Sequence, residues 1–162
     1  MGIDLPGTEA TVTADLTDDD SARRAVADAV DRLGGLDAVI GAAGVVDTIH
    51  RAETFPLAEF RGDIEANLIS QFTVAQAAFP ALREGRRPSM VLFSSIAAED
   101  GLPGQAGYSA AKAGVLGLIR ALAAEGPTSA SGSTPSSPVL SRPRKCSVCP
   151  RRCVTACSPG CR

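Results

Sequence analysis

Between residues 10 and 16 small, β-branched and polar side chains alternate (Ala10-Thr11-Val12-Thr13-Ala14-Asp15-Leu16). This period of two predicts a short strand ending near Asp15. The period then changes. Thr17 or Asp18 is placed to cap a helix, and Asp18, Asp19 and Asp20 set negative charge at its positive end. Ala22, Ala25, Val26, Ala29, Val30 and Leu33 fall on one helical stripe, which Gly34-Gly35 ends. Leu36 to Ala43 is almost continuously apolar with a single charge, the composition of a parallel strand covered on both faces. A loop with the lone histidine, His50, follows. A long helical pattern then runs from about Leu57 to Arg83, with Ile64, Leu68, Phe72, Val74, Ala75 and Phe79 as its apolar positions. Met90 to Ser94 predicts another buried strand, and Gly107 to Ala124 another helix. Strands alternating with helices predict an α/β fold built on a doubly wound parallel sheet.

The pattern stops after Glu125. Residues 1–125 carry all 18 acidic side chains and ten of the 16 basic ones; the remaining 37 residues carry six basic groups and all five cysteines. Gly126 to Pro138 is almost wholly Gly, Pro, Ser, Thr and Ala, which offers too little apolar surface to offset chain entropy. The expected organisation is a folded domain over 1–125 and a low-complexity, disordered tail over 126–162. A net charge of −2 gives no reason to expect a nucleic-acid partner, and the basic tail lacks the aromatics of a stacking platform. The longest apolar run, Ala38 to Val46, contains two glycines and is too short to span a bilayer. The absence of cysteine from 1–125 suits a cytoplasmic protein.

Tyr108 and Lys112 stand four residues apart on a predicted helix, so they share a face with Cβ atoms roughly 5–6 Å apart. Tyr108 is the only tyrosine, and Lys112 the only lysine before the tail. A phenol can donate a proton to a developing alkoxide when a nearby ammonium favours the phenolate. Thirteen residues earlier, Ser95 follows the predicted strand Met90 to Ser94, at the end of a strand where open α/β sheets bind ligands. Its hydroxyl is positioned to hold a substrate oxygen. Asn67 lies within the long helix, where asparagine is a poor helix former; an amide there can kink the helix and hold a water.

The stretches Gly41-Ala42-Ala43-Gly44, Asn67, Ser94-Ser95 and Pro103-Gly104-Gln105-Ala106-Gly107-Tyr108-Ser109-Ala110-Ala111-Lys112-Ala113-Gly114 resemble the short-chain dehydrogenases/reductases. The spacings of Asn67, Ser95, Tyr108 and Lys112 match that family's catalytic tetrad. The resemblance implies a Rossmann-type three-layer αβα fold, a cofactor that is NAD or NADP, and hydride transfer between it and a small alcohol or carbonyl substrate. It implies Tyr108 as general acid/base and Lys112 as the cation beside it that also holds the nicotinamide ribose. Ser95 would orient the carbonyl and Asn67 anchor a water relay. Asp15-Leu16 falls where the family places a pair beside the adenine, and Gly41, Ala42, Ala43 and Gly44 where the chain turns under the cofactor ribose. The family usually has Asn-Asn-Ala-Gly at that turn, so this chain lacks two amides there. A homo-oligomer built on the Asn67 and Tyr108 helices is also implied.

Two departures shape the expectation further. No glycine-rich strand–turn–helix that would receive a pyrophosphate is present. In the family's strand order, 3-2-1-4-5-6-7, the sequence reaches the third strand within about fifteen residues. The expected fold is therefore an incomplete Rossmann domain in which the Ala10 to Leu16 strand has no neighbour. Beyond the Tyr108 helix the family continues with an Ile-Arg-Val-Asn-Ala-Val-like strand, where this chain has Ser131-Gly132-Ser133-Thr134-Pro135-Ser136. Those six residues can be written in codons that, regrouped by one base, spell the family's strand, so an out-of-frame tail is expected. Two other readings stay open: a catalytically inert fragment, and a zinc or interaction module formed by Cys146, Cys149, Cys153, Cys157 and Cys161. No metal is expected in the folded part, and His50 receives no role.

Overall fold

The computed structural model describes residues 1–5 and 10–126. The predicted tail segments and the cysteines lie outside the described residues.

The chain opens with strand β1 (Ile3–Asp4), followed by β2 (Val12–Thr13) and helix α1 (Asp19–Leu33). Asp18 caps α1, its carboxylate accepting from Ser21 N at 2.6 Å, and Gly34 ends the helix in the left-handed region at φ 69°. Only glycine enters that region without a Cβ penalty. Strand β3 (Ala38–Gly41) comes next, then a single 3₁₀ turn (Ala52–Thr54) and α2 (Leu57–Ile64). A π-helical turn (Glu65–Ile69) joins α2 to α3 (Ser70–Glu84). Strand β4 (Ser89–Leu92), a short α4 (Ala97–Asp100) and a long α5 (Ala106–Glu125) complete the order.

Among the described residues four strands form two parallel pairs. Ile3 stands opposite Val12 in the first, and Ala38 to Gly41 stand opposite Ser89 to Leu92 in the second. The expectation of an orphan strand is corrected here. Two residues next to Met1-Gly2 give it a partner, with Val12 N and Ala14 N donating to Gly2 O and Asp4 O at 3.1 and 2.8 Å. Such a short neighbour suffices because each backbone bond it supplies removes an unpaired group.

Both pairs rest on one layer of helices. Val26 of α1 with Ala78 and Leu82 of α3 makes a core against which Ile3, Val39 and Met90 pack. The far side differs from the expected strand covered on both faces. Ile40 and Val91, which pair in register, are 69% and 49% exposed among the described residues.

The single helix expected over Leu57 to Arg83 is three segments, and the interruption moves its faces. A π turn inserts one residue relative to α-helical phase. After it, Gln71, Thr73, Ala75, Ala78 and Leu82 turn inward while Phe72, an expected core residue, is exposed. Thr73 Oγ1 then donates to Asp19 Oδ1 at 2.8 Å, tying α3 to the first turn of α1.

Candidate active site

Helix α5 begins just after Gln105 and turns Tyr108 and Lys112 onto one face, as their four-residue spacing requires. Lys112 is 5% exposed, a rare position for lysine. Its Nζ donates to Phe93 O at 3.1 Å and lies 5.7 Å from the centre of the Tyr108 ring. Burial pushes the Lys112 amine below the ordinary lysine value. The ammonium is thus held inward, with donors to spare beyond the Phe93 bond.

Backbone and side chain fasten β4's carboxyl end to this helix twice. Besides the Lys112–Phe93 bond, Ser94 Oγ donates to Lys112 O at 2.8 Å. Ser95 follows directly. Its Oγ accepts from Ala97 N at 3.2 Å, at the start of α4, which packs on α5. Ser95 therefore stands beyond the carboxyl end of β4, next to the helix that carries Tyr108.

Asn67 is fully buried within the π turn. Its Nδ2 donates to Asp63 O at 3.0 Å, four residues back, and its Oδ1 accepts from Val45 N at 3.1 Å. An amide that claims a carbonyl of the preceding turn competes with the helix ladder, and the helix widens here into the π turn. The Val45 bond brings the turn after β3 onto the site. A Cβ added to Gly44 would lie 2.7 Å from Asn67 Oδ1 and 3.2 Å from Lys112 Nζ. Gly44 is the point where Asn67 and Lys112 converge.

Of the other anticipated residues, Gly41 is buried in β3, and Ala42 and Ala43 are exposed on the turn. Asp15 and Leu16 lie between β2 and α1. The Asp15 carboxylate accepts from the Thr17 hydroxyl at 2.6 Å and the Thr17 amide at 2.9 Å, bonds that hold it below the usual carboxylate range.

Two residues were missed by sequence reasoning. Asp63 is 4% exposed; its Oδ1 accepts from Thr48 Oγ1 at 2.6 Å, while Oδ2 has no partner and lies against Gly107. Gln71 is 3% exposed and its Nε2 donates to Ala43 O at 2.6 Å. A signal existed: Asp63, Asn67 and Gln71 recur every four residues, a polar stripe on one helical face. His50 joins Glu59 Oε2 at 2.8 Å and meets the Phe55 ring edge-on, while its amide donates to Gly104 O. Among the described residues no group of His, Cys, Asp and Glu is arranged to hold a metal, and no helix is long and apolar enough to cross a membrane.

Comparison with known proteins follows the same geometry. A family profile described as Enoyl-(Acyl carrier protein) reductase matches residues 3–128. The acetoacetyl-CoA reductase of Acinetobacter sp. is 35% identical over 116 residues, 71% of this chain and 46% of that protein. An inactive 2-(S)-hydroxypropyl-CoM dehydrogenase 2 of Xanthobacter autotrophicus is 37% identical over 117 residues, 70% of this chain and 49% of that protein. Among solved structures, carveol dehydrogenase from Mycobacterium avium in complex with NAD superposes with a TM-score of 0.66 at 34% identity. That match covers 70% of this chain and 42% of the other. Levodione reductase does so with a TM-score of 0.67 at 31% identity, covering 72% of this chain and 46% of that one. The chain spans about half the length of the curated relatives it matches.

Proposed function

This chain belongs to the short-chain dehydrogenase/reductase family, and from that premise we propose that it performs hydride transfer between NAD or NADP and a small hydroxyl or carbonyl substrate. The observation that carries the reading is the burial of Lys112 beside the Tyr108 ring, with its amine fixed on Phe93 O. A buried ammonium next to the only phenol costs solvation, and a cation set beside the one side chain here that can pass a proton to an alkoxide gives that cost a chemical use.

The residues present fit the nicotinamide ribose half of such a cofactor. Lys112 has unused donors, and the glycine at 44 leaves open a point that any side chain would fill. They do not supply a pyrophosphate cradle: the turn after β2 reads Asp15-Leu16-Thr17-Asp18-Asp19-Asp20, whose carboxylates oppose a second anion. When bound, the nicotinamide supplies or accepts the hydride. In the reducing direction Tyr108 Oη gives its proton to the substrate oxygen as negative charge develops there. Lys112 holds the resulting phenolate, and the Ser95 hydroxyl orients the carbonyl. Asn67 keeps the Gly44–Val45 turn against Lys112, and the second lone pair of its Oδ1 holds a water that resupplies the proton. Asp15 and Leu16 flank the adenine, and Gly41 to Gly44 pass under the ribose. The proposal includes a cytoplasmic setting, no nucleic-acid partner, and self-association through the α2–α3 and α5 helices.

Titration of the full chain with NADH and NADPH, followed by nicotinamide fluorescence, tests the reading. Saturable binding that Lys112→Met abolishes is the expected result. No saturable binding to the unaltered chain refutes cofactor use by this polypeptide and favours the inert alternative. Where turnover is measurable, Tyr108→Phe is expected to abolish it, and unchanged turnover refutes the proton-donor role.

A further inference from the structure

The turn after β3 carries no side-chain amide, yet an amide reaches it from another element. Gln71, on the first turn of α3, is almost wholly buried, and its Nε2 donates to Ala43 O at 2.6 Å. Its Oε1 fills the space beside Gly41: a Cβ built there would collide with that oxygen and come within 2.7 Å of Leu92 Cδ2. Glycine at 41 and glutamine at 71 are therefore two halves of one arrangement, since any side chain at 41 displaces the Gln71 amide.

We infer that Gln71 supplies, from α3, the amide that the related pattern carries at the position of Gly41, and so positions the Gly41–Gly44 turn for its ligand. The chemistry is the same in either placement. The turn needs a donor for a carbonyl that the end of the β3 ladder does not satisfy, and a rigid amide meets that need from either side. Here the donor comes across the layer, and Ala43 O receives it. The arrangement leaves Gln71 Oε1 without a partner in a buried place, a cost set against the bond that the same amide makes to Ala43 O. Through Ala43 the bond bears on Gly44, the point where Asn67 Oδ1 and Lys112 Nζ meet. Gln71 is thus a positioning residue; that the ligand is a nicotinamide cofactor rests on the function proposed above.

The test moves the amide back. Gln71→Met, Gly41→Asn and the double variant are compared with the unaltered full chain by urea denaturation and by amide exchange at Val45, whose N–H bonds Asn67 Oδ1. Each single change is expected to lower the urea midpoint and speed exchange, Gln71→Met by loss of the donor and Gly41→Asn by collision. The double variant, with the amide returned to the strand, is expected to recover at least half of the summed loss and to restore protection at Val45. NADH affinity is expected to fall about five-fold in Gln71→Met, the equivalent of one net hydrogen bond, and to return in the double variant. Additive midpoint losses, with exchange at Val45 as fast in the double variant as in Gln71→Met, overturn the inference. If the unaltered chain binds no cofactor, the function proposed above fails, while the midpoint and exchange data still decide this one. If Gly41→Asn alone does not fold, Gly41→Ala in both backgrounds gives the same comparison for the collision, and equal cost with and without Gln71 overturns it.

Discussion

Replacing Gly44 with alanine puts one methyl group where Asn67 and Lys112 converge. Gly44 is not among the positive-φ glycines, which are Gly34, Gly35, Gly101 and Gly104, so alanine adopts its backbone without strain. The consequence is steric alone. The new Cβ would sit 2.7 Å from Asn67 Oδ1, against 3.4 Å for the near edge of ordinary contact, so the oxygen must retreat by about 0.7 Å. It cannot swing aside freely, because Asn67 is fully buried and bonded at both ends, to Val45 N and Asp63 O. Moving Oδ1 that far stretches a 3.1 Å bond past the hydrogen-bonding range. Leaving a buried amide unpaired costs about 1–3 kcal/mol, and overpacking adds a comparable amount. We therefore expect Gly44→Ala to lower unfolding free energy by roughly 2–6 kcal/mol. Urea denaturation can be followed by the emission of Tyr108, since the chain has one tyrosine and no tryptophan. Lys112 Nζ, 3.2 Å from the new Cβ, need retreat by only about 0.2 Å, so where turnover is measurable kcat is expected to fall several-fold, with a smaller change in KM. A variant within about 0.5 kcal/mol of the unaltered chain, with Val45 exchanging no faster, refutes the reasoning.

Other expectations follow from the same structure. Asp18→Ala removes the cap on Ser21 N and should cost about 1 kcal/mol by urea denaturation. Ile40→Lys should change stability by less than about 0.5 kcal/mol, because the residue faces outward from the sheet; a loss above about 2 kcal/mol would mean that something covers that face. Burial lowers the Lys112 value, so between its folded value and 10.5 the unfolded chain binds the extra proton and stability rises with pH across that window. Below it the buried ammonium is a net cost, so Lys112→Met should gain most relative to the unaltered chain near neutral pH and lose that gain toward 10.5. A stability difference independent of pH over that range contradicts the assignment.

How much of this was legible in the sequence depended on how many residues carried each signal. Helix α1 shows a cap, an acidic first turn, a stripe of alanines and a terminal glycine, and its bounds followed; α5 is long and periodic. Strand β1 is two residues long, too short for any period, and its pairing is visible only once Val12 and Ala14 find their acceptors. Leu33, expected on the α1 stripe, is 54% exposed because the helix ends where the core does. The Tyr108–Lys112 pair was conspicuous because neither residue type recurs in the folded part. Asp63 and Gln71 were passed over because a polar residue on a helix ordinarily faces water. Their burial comes from contacts with Thr48 and Ala43, far away in sequence, and local pattern carries no record of such partners.

The wide turn at Glu65–Ile69 also limits how this chain can change. Deleting one residue there would regularise the helix, yet would rotate everything downstream by about 100°. Ala75, Ala78 and Leu82 would swing away from Val26, and Phe72 would be driven inward. The irregular turn is thereby locked in by residues that have no part in the chemistry. Gene drift that shortens this segment would dismantle the helix pairing before it straightened the turn, so the kink at Asn67 can persist even in a copy from which catalysis has gone.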